Sequence, residues 1–176
     1  MANPIKVCVI GAGCSYTPEL VEGLIEKWDE LQVEQLFLMD IDPRKLEIVG
    51  GLARRMVAAS GRAMEVETTL DRRHALENSQ FVVSQIRVGG MDARIKDEKI
   101  PLSFGVIGQE TTGPGGFAKA LRTIPVALSI ARDIEEVAPG AFLLNFTNPA
   151  GLITEALLRY SNVPAIGLCN LPIGVE

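Results

Sequence analysis

The sequence predicts one α/β domain, a doubly wound and mainly parallel sheet with strand order 3-2-1-4-5-6. Three observations lead there. Short apolar runs rich in β-branched residues alternate with longer stretches of helical period, the pattern of parallel strands joined by crossover helices. The chain is 47% hydrophobic but only 5% aromatic, a balance of small aliphatic residues that suits strands covered by Ala-rich helices. Its 176 residues are enough for one packed core and too few for two comfortable ones.

The elements follow in order. Residues 5–10 form a buried first strand that ends in glycines. Thr17, Pro18 and Glu19 supply a hydroxyl cap, a preset φ and an acid for the positive helix end. That helix is expected to run to about Trp28, with Leu20, Leu24 and Ile25 on its apolar face. Residues 35–40 are the second strand, after which Asp42 and Pro43 open a helix carrying Leu46, Val49 and Ala53 at helical spacing. A weak third strand at 64–68, a short helix at 71–76 and a clearer fourth strand at 81–86 come next. Residues 91–100 read as a charged, exposed helix, and the glycine-dense stretch 105–116 as a loop. A helix over 118–138 with Pro125 as a kink is stopped by Pro139 and Gly140. A fifth strand at 141–146, a sixth helix at 149–158 and a last strand at 165–168 complete the pattern, with no internal repeat.

Composition excludes several function classes. The formal net charge is −5, and Lys and Arg are scattered among acids, which leaves no basic stripe for nucleic acid. No apolar stretch is long enough to span a bilayer, and the start lacks the apolar core of a signal peptide, so a soluble, cytoplasmic protein without a membrane partner is expected. Cys8, Cys14 and Cys169 are odd in number and unmatched in spacing, which makes neither a disulfide framework nor a zinc knuckle.

In a doubly wound sheet ligands lie outside the carboxyl ends of the strands, so the exits at 11–17, 40–44, 87–90, 145–151 and 169–172 should converge on one crevice. Gly11, Ala12, Gly13, Cys14, Ser15 and Tyr16 leave a strand and open a helix, where glycines let backbone amides approach a pyrophosphate. Tyr16 replaces the third glycine of the usual fingerprint, and a tight turn without ligand is the alternative. Asp40 ends the second strand, where a carboxylate accepts both ribose hydroxyls and favours NAD over NADP; Asp42 is the better candidate to cap the helix that follows. The domain is thus read as Rossmann-like, of the lactate and malate dehydrogenase type.

Other exits carry open alternatives. Arg87 can grip a phosphate with its charged fork or pair with a nearby surface acid. Asn145 and Asn148 flank Thr147 and can offer amides to sugar hydroxyls, although Asn before Pro149 is also an ordinary helix cap. The long polar loop at 108–116 has the profile of a functional loop, with a solvated turn as the alternative. Cys169 can be a metal thiolate, a nucleophile or a small buried residue. His74, away from every exit, reads as exposed and non-catalytic.

Five motifs then carry a resemblance: GAGCSYTPEL from Gly11, IRVGG from Ile86, GQETTGPGG from Gly108, NFTNPAG from Asn145 and GLCNLPIG from Gly167. Together they resemble glycoside hydrolase family 4 over nearly the whole chain, and they are most similar to its 6-phospho-β-glucosidase branch. The resemblance implies NAD- and divalent-metal-dependent hydrolysis of 6-phospho-β-glucosides, the metal usually manganese. NAD+ takes a hydride from sugar C3, a base removes the acidified C2 proton, the aglycone leaves C1, water adds and the hydride returns.

By the same resemblance Gly11, Gly13, Ser15, Tyr16 and Asp40 hold NAD, Cys169 ligates the metal, and Arg87 and Asn148 hold the phosphorylated glucoside or disaccharide. Glu110 of the GQET loop and Asn170 are the catalytic candidates within the chain. Alpha-acting members have an aspartate where Asn170 stands; an amide cannot protonate a leaving oxygen, which favours β-glycosides. Cys14 replaces a serine common in the family. The family's metal-binding histidine and tyrosine base lie beyond residue 176. Residues 1–170 are therefore expected to be the NAD-binding domain and 171–176 the start of a second, catalytic domain, the isolated chain binding NAD without turnover and the full-length protein forming a homo-oligomer. The competing readings are a 6-phospho-α-glucosidase or other member of the family, a 2-hydroxy-acid dehydrogenase, and a non-catalytic NAD-sensing module.

Overall fold

The computed structural model describes residues 5–169. Its six strands form one parallel sheet in the order β3-β2-β1-β4-β5-β6, as the alternation of elements predicts. The strands are β1 (Ile5–Ile10), β2 (Val33–Met39), β3 (Glu65–Thr69), β4 (Phe81–Ser84), β5 (Phe142–Asn145) and β6 (Ala165–Gly167). The helices are α1 (Thr17–Glu26), α2 (Pro43–Ser60), α3 (Arg72–Leu76), α4 (Gly90–Ser103), α5 (Gly113–Val137) and α6 (Ala150–Tyr160).

Side-chain alternation along the strands divides the core in two. Cys8, Ile10, Phe37, Met39 and Val82 pack with Ala75, Ile130, Ile134, Ile153 and Leu157 of α3, α5 and α6. Val7, Val9, Leu36, Leu38 and Val83 face the other way, onto Val21, Leu46, Ala53 and Val57 of α1 and α2. Leu20, Leu24 and Ile25 pack at the edge of this second layer, while Val21 is its fully buried contribution from α1.

Local chemistry sets the helix ends, with three departures from expectation. Asp42 caps α2 as expected, its carboxylate accepting from the amides of Arg44 and Lys45, and Asp71 caps α3 in the same way. Thr17 does not cap α1: its buried hydroxyl donates to the Ala12 carbonyl (2.8 Å), so it braces the preceding turn instead. Asn148 does not cap α6, whose N-cap position is Pro149, joined to Asn148 by a cis peptide bond. The third departure is that Gly113–Gly116 are helical, leaving only residues 104–112 between α4 and α5. Gly115 and Gly116 are buried, and a Cβ on Gly115 would overlap the carbonyls of Gln109 and Asp97; these glycines serve a close backbone approach, and flexibility is not their role.

Among the described residues no helix is long and apolar enough to cross a membrane. None of the three cysteines is in a disulfide. His74 is exposed, hydrogen-bonded to Glu67 and edge-on to Phe37.

Candidate functional site

At the carboxyl edge of the sheet the exit loops are joined, one to the next, by hydrogen bonds. The Gly11 and Ala12 amides both donate to the Met39 carbonyl (2.9 Å each), which draws the glycine turn onto the end of β2. Gly13 N–H donates to Asp40 Oδ2 (2.8 Å), and Asp42 N–H to Asp40 Oδ1 (2.9 Å). A Cβ on Gly13 would come within 2.9 Å of that same Oδ2, so only glycine allows the approach. Gly11 holds φ +87°, and a Cβ there would meet the Gln85 carbonyl at 2.9 Å. Beyond the turn, Ser15 and Tyr16 are exposed at the start of α1, whose positive end suits an anion.

Gln85, just past β4, carries the linkage across the sheet. Its side-chain amide donates to Thr17 Oγ1 (2.5 Å) and approaches the Gly11 carbonyl (3.5 Å). The neighbouring Ile86 amide donates to Thr147 Oγ1 (3.1 Å), and Ser84 shares a hydrogen bond with the same hydroxyl. Asn145 is fully buried, giving its Nδ2 protons to the Thr147 carbonyl and Thr154 Oγ1 and taking the Thr147 amide on Oδ1. Its amide is thus spent on folding the exit loop, which removes it as a sugar ligand. Asn148 remains half-buried at the same exit, and the Leu168 amide closes the series on the Asn145 carbonyl (2.9 Å).

Arg87 leaves β4 and pairs through Nη1 with Glu110 of the 108–112 loop, so its acidic partner is another of the candidate residues. Glu110 also accepts a hydrogen bond from Lys119 of α5, with Arg94 of α4 3.3 Å from its second oxygen. Burial pushes the Glu110 carboxyl up, but hydrogen bonds from Lys119 and Arg87 outweigh it and hold the group below the usual glutamate range. The Lys119 ammonium is pushed down by its own burial more than its hydrogen bond to Glu110 pulls it up. Nearby, Arg122 grips buried Asp97 with two nitrogens and the Val88 carbonyl with Nε (3.0 Å), clamping the Arg87 loop to α4 and α5.

Gln85, Lys119, Asp97 and Arg122 were not singled out from sequence. Lys119 had a signal: it falls in one stripe with buried Thr123, Ala127, Ile130 and Ile134, and a charge in an apolar stripe requires a buried partner. Cys169 is exposed just past β6. No group of three His, Cys, Asp or Glu that could hold a metal occurs among the described residues, and Asn170 lies outside them.

A cleft of about 510 Å³, lined by Lys6, Gln35, Gln80 and Gly140, opens at the amino ends of the strands. The glycine turn at that edge, at Gly140, leads from a helix into a strand and opens no helix, and the rule for doubly wound sheets favours the opposite edge.

The family model described as "Family 4 glycosyl hydrolase" matches residues 6–176. The chain is 59% identical over 179 residues to the probable 6-phospho-beta-glucosidase of Bacillus subtilis (strain 168), covering all of this chain and 40% of that protein. It is 50% identical to the 6-phospho-beta-glucosidase of Escherichia coli (strain K12), with the same coverage of 100% and 40%. A structure of the Thermotoga maritima 6-phospho-beta glucosidase with manganese, NAD+ and glucose-6-phosphate superimposes with a TM-score of 0.91 at 39% identity, over 97% of this chain and 42% of that one. The chain thus spans about 40% of the length of the curated relatives it matches.

Proposed function

The chain belongs to glycosyl hydrolase family 4, and from that premise we propose that it is the amino-terminal, NAD-binding part of an NAD- and divalent-metal-dependent 6-phospho-β-glucosidase. Residues 1–170 are the dinucleotide domain and 171–176 the start of the catalytic one. What carries the reading is the contact of Gly13 N–H with Asp40 Oδ2 at 2.8 Å, which sets a ribose-binding carboxylate against a pyrophosphate-binding turn.

The residues present fit NAD. A carboxylate has about four lone-pair sites, and Asp40 uses two on the Gly13 and Asp42 amides, leaving room for both hydroxyls of a ribose. Gly11, Gly13, Ser15 and Tyr16 line the opening of α1; the Gly11 and Gly13 amides are given to Met39 and Asp40, which shapes the turn, and the positive end of the helix receives the diphosphate. When bound, NAD supplies a reversible hydride acceptor. The described residues do not by themselves fit a metal: Cys169 offers one sulfur, and no group of three metal-binding side chains accompanies it among them.

Arg87 and Asn148 hold the sugar phosphate, Arg87 by charge and fork geometry and Asn148 by its amide. Glu110, kept ionised by its cations, serves as an acceptor and not as an acid at neutral pH. Asn170 has no transferable proton, which supports the β-linked substrate.

Calorimetry tests this directly. NAD+ should bind the chain and lose at least about tenfold in affinity on Asp40→Ala, and glucose 6-phosphate should bind the NAD-loaded chain more tightly than glucose, with and without manganese. No heat with millimolar NAD+ on folded protein would overturn the reading, and hydrolysis of a 6-phospho-glucoside by the isolated chain would overturn the assignment of turnover to the missing part. In the full-length protein, cleavage of only α-linked substrates would move the assignment to the α-acting members.

A further inference from the structure

Lys119 has no part in the function proposed above, yet it meets the carboxylate that holds the proposed phosphate ligand. Its side chain is 2% exposed, which keeps it out of contact with any ligand. Its Nζ donates to Glu110 Oε1, the same oxygen that takes Nη1 of Arg87. An ammonium stripped of water needs a counter-ion, and among the described residues Glu110 is the one acid paired with it, so the two stay joined while the fold stands.

Arg87 is placed differently. Its side chain is 36% exposed and spends one nitrogen on Glu110, while Nε and Nη2 have no partner among the described residues. Those two nitrogens form the edge that meets two phosphate oxygens side-on. A guanidinium held by one corner loses less freedom on taking up such an anion than one left to swing.

We propose that Lys119 is a positioning residue for phosphate recognition: it anchors Glu110, which holds Arg87 by Nη1 and leaves the Nε–Nη2 edge for the phosphate of the sugar. The inference rests on the assignment of Arg87 to that phosphate. Folding does not hang on Lys119 alone, because Arg122, one turn further along α5, clamps Asp97 and the Val88 carbonyl independently of Glu110.

The test compares wild type, Lys119→Met and Lys119→Arg, each loaded with NAD+, by calorimetric titration with glucose 6-phosphate and with glucose. Lys119→Met should weaken glucose 6-phosphate binding about tenfold while leaving NAD+ and glucose affinity unchanged, and Lys119→Arg should restore most of the loss. Should the Met variant not fold, Lys119→Leu, which likewise removes both the donor and the charge, carries the same comparison. Undiminished preference for the phosphorylated sugar in the Met or Leu variant overturns the positioning role, as does an equal loss of NAD+ affinity, which would mark a general structural role. Wild type that binds glucose 6-phosphate no better than glucose overturns the assignment of Arg87 itself, and the positioning role with it.

Discussion

Glu110 shows how one residue's surroundings decide its chemistry. In sequence it is an acid in a glycine-dense loop; in the fold it is the common partner of Arg87, Arg94 and Lys119. Its depressed pKa has a definite sign for stability. The folded state favours the charged carboxylate, so the stabilisation is complete above the ordinary glutamate value of 4.5 and is lost as pH falls through the lower folded value. Glu110→Gln should therefore lower the urea midpoint at neutral pH yet flatten its decline below pH 4.5. Parallel midpoint-against-pH curves for the two proteins would contradict this account. The ion cluster was only half legible in sequence, because Arg87 and Glu110 advertise themselves by their loops whereas Lys119 is nine residues further on in a helix.

At the scale of elements, the segment at 113–116 is the instructive case. Three glycines and a proline within four residues read as a loop, since nothing local distinguishes a glycine chosen for freedom from one chosen for small size. Here the first turn of α5 passes the carbonyls of Asp97 on α4 and Gln109 in the connecting loop, leaving no space for a Cβ on Gly115. Gly115→Ala should destabilise the protein by roughly 1–3 kcal/mol, read from urea unfolding, although alanine is the better helix former. A neutral or stabilising result would mean that α4 and α5 do not meet this closely. Thr17 and Asn145 teach the same lesson at other exits. Residue types that favour caps and ligands were recruited to brace their own loops, Thr17 on the Ala12 carbonyl and Asn145 on Thr147 and Thr154.

Across the whole molecule, one sheet separates two apolar layers, and the strands contribute to both. Trp28, the single tryptophan of the sequence, packs against the α1/α2 layer, whereas Ile153 is fully buried in the layer of α3, α5 and α6. Ile153→Ala should cost about 2–5 kcal/mol, and the midpoint followed by Trp28 fluorescence should fall together with that followed by far-ultraviolet circular dichroism. Separate midpoints would show that the layers unfold independently and that the domain is not one cooperative unit.

The sequence by itself determined the strand order, the crossover pattern, the glycine turn and the acid at the end of β2, because these rest on short-range periodicity and on residues whose backbone or charge has few alternative uses. Tertiary structure alone decided which polar side chains are spent on the protein and which remain for a ligand. Thr17 and Gln85, and Asp97 and Arg122, are partners from segments far apart in sequence, while Asn145 and Lys119 found theirs in neighbouring segments once those segments were folded. The physical reason is that burying a polar group is costly unless it is paired, and the pairing is a property of distances that no local pattern encodes.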